Sequence, residues 1–365
     1  MRSFVLVTLF AVLAVGAAAQ IATNTTPPSH VRFVPHTYAN RLAKHPTLPV
    51  LYLGLGCAPD SKNLVTFGLD AGGNVLTNTM QTFNDFFTDD GKNPTNQHYV
   101  LRPVVLPEQR LLYLAAAPAS PHLYHYNSNA HHIAVVRLDE RGQPANLLKA
   151  FRTTHTEASI VVMQYEPTAR RLYLSFHTYW GWCATDEAGM PSREFYLVPT
   201  VPYNLWEYTF VPTWKRFIGV HQDAYLCSLR LTADGTRPEH TQALLGSPGP
   251  FGRFDVSAEL GKVYIVSGPG HATLSIYSLN QQGGFTGVPR RLPLGETHFL
   301  RLDTKSRRLY SFHQNGIIRI LPLDAGGYPS GSSEVFQVSC GAIRDVFLNE
   351  ESGKLYVACT EPLKP

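Results

Sequence analysis

The sequence predicts an all-β fold, a β-propeller of four-stranded blades. Three observations carry this: a hairpin signature centred on Leu/Val-Tyr, a turn signature ending in Gly, and a composition suited to turns. Of 365 residues, 44% are hydrophobic and 16% charged, with 28 Gly, 27 Pro, 18 Tyr and 19 Phe. The charged share is below the roughly 25% usual for soluble domains, and neither disorder nor a collagen repeat fits. A formal charge of +4 is too small to imply nucleic acid or another polyanion as partner.

The first signature is an apolar anchor, a polar turn containing Lys or Arg, then an aliphatic residue and Tyr. It runs from Leu106 to Leu112-Tyr113, Tyr165 to Leu172-Tyr173, Val256 to Val263-Tyr264, Leu302 to Leu309-Tyr310, and Leu348 to Leu355-Tyr356. Leu51-Tyr52-Leu53 is a less regular copy. Each reads as a hairpin between two strands. The second signature is Leu-x-x-x-Gly: Leu69 to Gly73, Leu138 to Gly142, Leu231 to Gly235, Leu279 to Gly283, and Leu323 to Gly327. Asp or Asn opening a turn that ends in Gly joins a third strand to a fourth. Lettered outward from the axis, strand A ends at the anchor, B carries the Tyr, C ends at the Leu and D follows the Gly.

Successive Tyr residues are 61, 60, 91, 46 and 46 positions apart. A thin sheet repeating at this period buries its faces only against its neighbours, which is the logic of a propeller. The long step holds one blade with an insertion or two blades, giving six or seven, with seven preferred. The last copy stops at Pro365, soon after strand B, so residues near His30 to His36 are expected to complete that blade and close the ring.

On these hairpin and turn residues, the chain resembles the secreted and periplasmic propellers of the lactonase type and of the YVTN-repeat class, over most of residues 47–360. The resemblance is architectural. Members of that group include sugar-lactone hydrolases and a muconate cyclase, but no catalytic motif of theirs transfers intact.

Residues 1–19 read as a cleaved signal peptide: Arg2, an apolar run from Phe4 to Val15, then Ala17-Ala18-Ala19. Residues 20–365 then form a single secreted or periplasmic propeller domain, with no membrane span and with a monomer expected. An aromatic-rich insertion or irregular blade is expected at about 176–222. Of five Cys, Cys183 with Cys227 and Cys340 with Cys359 are the pairings considered, Cys57 being the fifth. Asn24-Thr25-Thr26 is a glycosylation sequon that matters only in a eukaryote.

In a propeller the D-to-A and B-to-C connections surround one mouth of the axial channel, where loops carry function on a rigid frame. Upstream of the anchors lie His98 and Arg102, His155 and Glu157, Arg253 and Asp255, Glu296, His298 and Arg301, and Arg344 and Asp345. Guanidinium groups bind carboxylates or oxyanions and imidazoles move protons near neutral pH, so His98, His155 and His298 with Arg102, Arg253 and Arg344 are candidate catalytic groups. The plainer reading pairs these Arg and Asp residues across blades as bridges.

The loop from Pro121 to His132 holds His122, His125, His131 and His132, weak candidates for a divalent metal, without a nearby carboxylate. No cofactor is otherwise indicated. The Asp85–Gly91 loop does not match an EF-hand and reads as a solvated turn. All four Trp (Trp180, Trp182, Trp206, Trp214) fall in the aromatic-rich stretch, as a face for sugar or protein or as the core of a hidden blade. GxSxG, a P-loop, and GxGxxG in a strand-to-helix setting do not occur. The leading expectation is an exported propeller that binds a small polar ligand, glycan or protein segment without catalysis. The alternative is a lactonase-like hydrolase or cyclase.

Overall fold

The computed structural model describes residues 26, 28–56, 58, 62–84, 86, 98–118, 133–151, 160–176, 180–198, 205–221, 226–244, 254–267, 269–338 and 340–360. The signal segment, Asn24 and Thr25 of the sequon, Cys57 and nearly all of the Asp85–Gly91 loop lie outside them. Among the described residues no helix is long and apolar enough to cross a membrane.

Seven blades form a ring. Blade I is β2 (Ala39–Lys44), β3 (Val50–Leu55), β4 (Lys62–Leu69) and β5 (Val75–Asn84). In blade II, β6 (His98–Val100) and β7 (Val104–Leu106) share the inner position, followed by β8 (Leu111–Pro118), β9 (Ile133–Leu138) and β10 (Pro144–Phe151). Blade III is β11 (Ile160–Glu166), β12 (Arg171–Phe176), β13 (Trp180–Ala184) and β14 (Tyr196–Leu197). Blade IV is β15 (Leu205–Val211), β16 (Arg216–His221), β17 (Leu226–Leu231) and β18 (Pro238–Leu244). Blade V is β19 (Phe254–Ser257), β20 (Lys262–Ser267), β21 (Thr273–Leu279) and β22 (Phe285–Pro293). Blade VI is β23 (Phe299–Asp303), β24 (Arg308–Phe312), β25 (Ile317–Pro322) and β26 (Glu334–Gln337). Blade VII is β27 (Ile343–Asn349) and β28 (Lys354–Cys359), joined by β1 (Val31–Pro35).

The seven-blade expectation holds, and the N-terminal segment closes the ring. Blade VII differs from the other six: among the described residues it has three strands, and β1 runs parallel to β28, with Val31 opposite Leu355 and Pro35 opposite Cys359. The described part of the 176–222 stretch forms β13 to β16, which belong to blades III and IV, and Ile218 stands where a strand-B Tyr would.

Apolar runs in the B and C strands are buried on both faces, whereas the outer strands β5 and β22 are exposed along most of their length. The core is accordingly split into seven apolar layers, one between each pair of consecutive blades.

The two sequence signatures turn out to be halves of one inter-blade hydrogen bond. Tyr52 Oη donates to Gly142 O at 2.6 Å, Tyr264 Oη to Gly327 O at 2.7 Å, and Tyr356 Oη to Gly73 O at 3.1 Å. Tyr113 Oη donates likewise to Gly189 O. Gly327 adopts φ 77°, and a Cβ there would lie 2.8 Å from Tyr264 Oη, so only glycine permits the approach. Where the pattern weakens, other donors take over. Trp182 Nε1 reaches Gly235 O at 2.9 Å, and Ser228 Oγ, cross-strand from Ile218, which has no hydroxyl, reaches Gly283 O at 2.7 Å. Tyr310 Oη instead meets His30 Nε2 at 2.9 Å, since the last blade is completed by the N-terminal segment. Burial raises the Tyr52 and Tyr264 hydroxyl pKa values well above the usual phenol range, so both remain donors.

Tyr264→Phe removes a donor while leaving Gly327 O buried, and is expected to cost about 1–3 kcal/mol in urea unfolding. An unchanged midpoint would show that the hydroxyl contributes nothing to the seam.

Candidate functional site

Backbone irregularity places the axial side chains. The inner strands of blades I, III, IV and VII each carry a register shift, at Asn40, Val161, Trp206 and Arg344, and blade II is split across Leu101–Pro103. Such bulges re-aim side chains at the rims of closed sheets.

The groups so directed converge on Asp345, whose side chain is 0% exposed. Arg102 Nη2 donates to both carboxylate oxygens at 2.8 and 2.9 Å. Arg301 Nη2 and Arg41 Nη1 stand 3.6 and 3.7 Å from Oδ1, and Leu42 N donates to Oδ2 at 2.9 Å. Blades VI, VII, I and II are thus tied through one carboxylate. Burial pushes the Asp345 pKa up, but Arg102, Arg41 and Arg301 together with the Leu42 N–H outweigh it and hold the pKa at about 2.

Asp255 behaves differently. It accepts from Val256 N at 2.9 Å and from Leu302 N, across the seam to blade VI, at 2.8 Å. Burial raises its pKa, and the more modest help from Arg301 and those two N–H groups does not reverse the shift. Similar pins join other inner strands: Arg301 Nε to Val346 O at 2.7 Å, Phe210 N to Gln164 Oε1 at 2.9 Å, and Asn40 Nδ2 to Val100 O at 2.7 Å.

Asp255 and Asp345 therefore act as bridges between blades, the plainer of the two sequence readings. The guanidinium groups have a second capacity. Among the described residues, Arg41, Arg102 and Arg301 gather at Asp345 and the Arg102 side chain is 42% exposed, so a guanidinium edge of the axial cluster reaches solvent. Arg344 is exposed on its bulge.

The rim of blade VI holds a second group. Glu296 and His298 precede β23 and His313 follows β24. His313 Nε2 is 3.0 Å from Glu296 Oε2, and His298 Nε2 is 4.0 Å from Glu296 Oε1. The two imidazole rings stand edge to face, with centroids 4.9 Å apart.

Three of the tryptophans depart from the reading as a ligand face. Trp180 is fully buried against Tyr173, Tyr208 and Phe217, between blades III and IV. Trp182 is buried in the same layer, under Arg171. Trp214 packs between blades IV and V, where a Cβ on Gly283 would lie 2.8 Å from its ring. Strands covered on both sides send large side chains into the layers rather than to the mouth.

The backbones of His98 and Trp206 lie in β6 and β15, with their side chains outside the described atoms. His155, Glu157, Arg253, His122, His125, His131 and His132 lie outside the described residues. Cys183, Cys227, Cys340 and Cys359 are free thiols. Cys183 packs in the layer between blades II and III and Cys227 in that between III and IV, so the sheet of blade III separates that pair. Cys340 and Cys359 are in hydrogen-bond contact.

Sequence reading missed Arg41 and His313. Arg41 precedes the least regular repeat copy, so its inner strand was not delimited. His313 is the first residue after a strand B, a position shared by other loops and singled out only by Glu296 and His298 across the hairpin.

Fold and axial cluster together define a seven-bladed β-propeller of the architecture seen in lactonase-like proteins. No family model matches the sequence, and no curated protein matches it. Among solved structures, the periplasmic gluconolactonase of Pseudomonas aeruginosa superposes with a TM-score of 0.63 at 13% identity, covering 84% of this chain and 87% of that one. A candidate 6-phosphogluconolactonase from Bacteroides fragilis gives 0.59 at 12% identity, covering 82% and 84%. A structure of the mitotic checkpoint complex gives 0.62 at 11% identity, covering 99% and 97%. A hydrolase and a checkpoint assembly on one fold show that architecture does not choose the activity.

Proposed function

We propose that the protein is an exported propeller that binds a small organic anion at the axial opening, with Arg102 as its main contact and Arg344 at the mouth. The single observation behind this is the convergence of Arg41, Arg102 and Arg301, from three blades, on one buried carboxylate. These guanidinium groups are held by backbone and packing, so little side-chain order remains to be imposed when a carboxylate arrives. Burial of Trp180, Trp182 and Trp214 leaves a glycan or protein segment with less support than a small acid.

Isothermal titration with gluconate and other sugar acids at low salt is expected to give saturable binding, weakened at least tenfold by Arg102→Gln and several-fold by Arg344→Ala. Equal affinity in both variants would remove the proposal. A second reading, lactone hydrolysis or closure, draws on the neighbour named a gluconolactonase and on His298 beside Glu296 at the rim. It requires turnover of a sugar-lactone panel that falls at least a hundredfold in His298→Ala, since a general base contributes about 10²–10⁴.

A further inference from the structure

We infer that Glu296, His298 and His313 form a binding site for a borderline divalent transition metal such as Zn²⁺. This does not rest on the anion reading. One ligand atom from each of the three lies within 4.8 Å of the others. The arrangement follows from the hairpin. Phe299 pairs with Phe312, so His298 and His313 occupy the next rung of the same ladder, where His298 N donates to Phe312 O at 2.7 Å. Cross-strand neighbours of this kind bring their Cβ atoms within about 4.5–5.5 Å. Glu296, two residues before His298, lies on the same side by the period of an extended chain.

The supporting contacts suit a metal better than a simple ion pair. An ion pair needs one imidazole against Glu296, yet two Nε2 atoms face its carboxylate, at 3.0 and 4.0 Å. Two protonated rings with centroids 4.9 Å apart would repel, whereas two neutral rings are the ligands a metal takes. His313 Nδ1 meets Asn315 in either tautomer: unprotonated it accepts from the backbone N at 3.2 Å, and protonated it donates to Asn315 Oδ1. Asn315 can therefore accept the Nδ1 proton that a metal on Nε2 requires, the outer-shell partner that fixes a ligating histidine. Thr297, buried between two of the ligand residues, is pinned to Ser311 Oγ at 2.9 Å and Gly295 O at 3.0 Å. The ligands are thus mounted on a rigid hairpin rather than a free loop.

Two imidazoles and one carboxylate select Zn²⁺ and its first-row neighbours over Ca²⁺ or Mg²⁺, which favour all-oxygen sites. Three protein ligands leave a coordination position open, as in catalytic rather than structural zinc sites. From blade V, the His271 ring stands 6.4 Å from that of His298.

Purified full chain, stripped with chelator, would be titrated with Zn²⁺ by calorimetry and with Co²⁺ by visible absorption. One equivalent of each is expected to bind. His298→Ala and His313→Ala should each weaken binding more than a hundredfold, and Glu296→Gln, an exposed and isosteric change that spares the fold, roughly tenfold or more. A chain with His122, His125, His131 and His132 all changed to Ala should bind as the parent does. Absence of saturable binding overturns the site. So does binding that survives in Glu296→Gln and the two His variants, or that is lost only in the four-His loop variant.

Discussion

A chain that begins at Thr37 is expected to lose its cooperative unfolding transition and to precipitate, while one that begins at Gln20 remains folded. The difference is β1. Its five residues pair with Leu355–Cys359, and Leu355 N and His36 N add bonds to His30 O and Cys359 O at 3.0 Å each. Val31 sits in the layer between blades VI and VII, Val34 in that between VII and I, so one strand seals two layers. Burying each valine is worth about 1.5–3 kcal/mol, and the His30–Tyr310 bond is lost too. Together these approach the roughly 5–15 kcal/mol that holds a whole domain.

Truncation would also bare the edge of β28, an apolar strand that would pair with other copies. Because β1 lies parallel to β28, a hairpin appended at the C-terminus cannot reproduce its register. A synthetic peptide spanning Ser29–His36, added during refolding, should restore soluble protein. A truncated chain that melts at the parent temperature without the peptide would show that the ring closes by other means.

The same chemistry explains which parts of the ring were legible in the sequence. Tyr52, Tyr113, Tyr264 and Tyr356 recur because each must reach a glycine carbonyl in the next blade, so side chain and turn are constrained together. In blades III and IV that task moved to Trp182 and Ser228, and blade IV, left without a strand-B Tyr, hid in the long step. Tyr173 turns instead to Glu166 at 3.1 Å, and Ile218 offers no donor. The turn at Thr185–Gly189 opens with Thr rather than Leu and escaped the second signature.

The tryptophans were visible as a group, but not their direction. In strands buried on both faces there is no polar alternation to say which side is out. Placement of the candidate site depended on irregular backbone. Arg102 and Arg344 fall at a strand break and a bulge, and nothing in the residue types announces where a ladder will slip. His298 and Glu296 were readable as rim residues. Their partner His313 required knowing which rungs of the hairpin face each other.

Replacing Asp345 by Ala should cost about 3–5 kcal/mol, since it leaves three guanidinium groups facing one another without their shared counter-charge and strands the Leu42 N–H. Asp345→Asn keeps an acceptor for Leu42 and should cost less, about 2 kcal/mol, the worth of a carboxyl held near pKa 2 rather than its ordinary 3.8. The pH dependence fixes the sign. A carboxylate whose folded pKa is depressed contributes its full stability above the unfolded value and loses it as pH falls through the folded one. The stability gap between parent and Asp345→Asn should therefore be widest above about pH 4 and close toward pH 2. Asp255, whose pKa is raised, works in the opposite sense, but it is present in both proteins and cancels in the comparison. Urea unfolding of the two proteins at a series of pH values reads this directly, and a gap that stays constant from pH 7 to pH 2 would mean that the axial arginines do not act through the charge of Asp345.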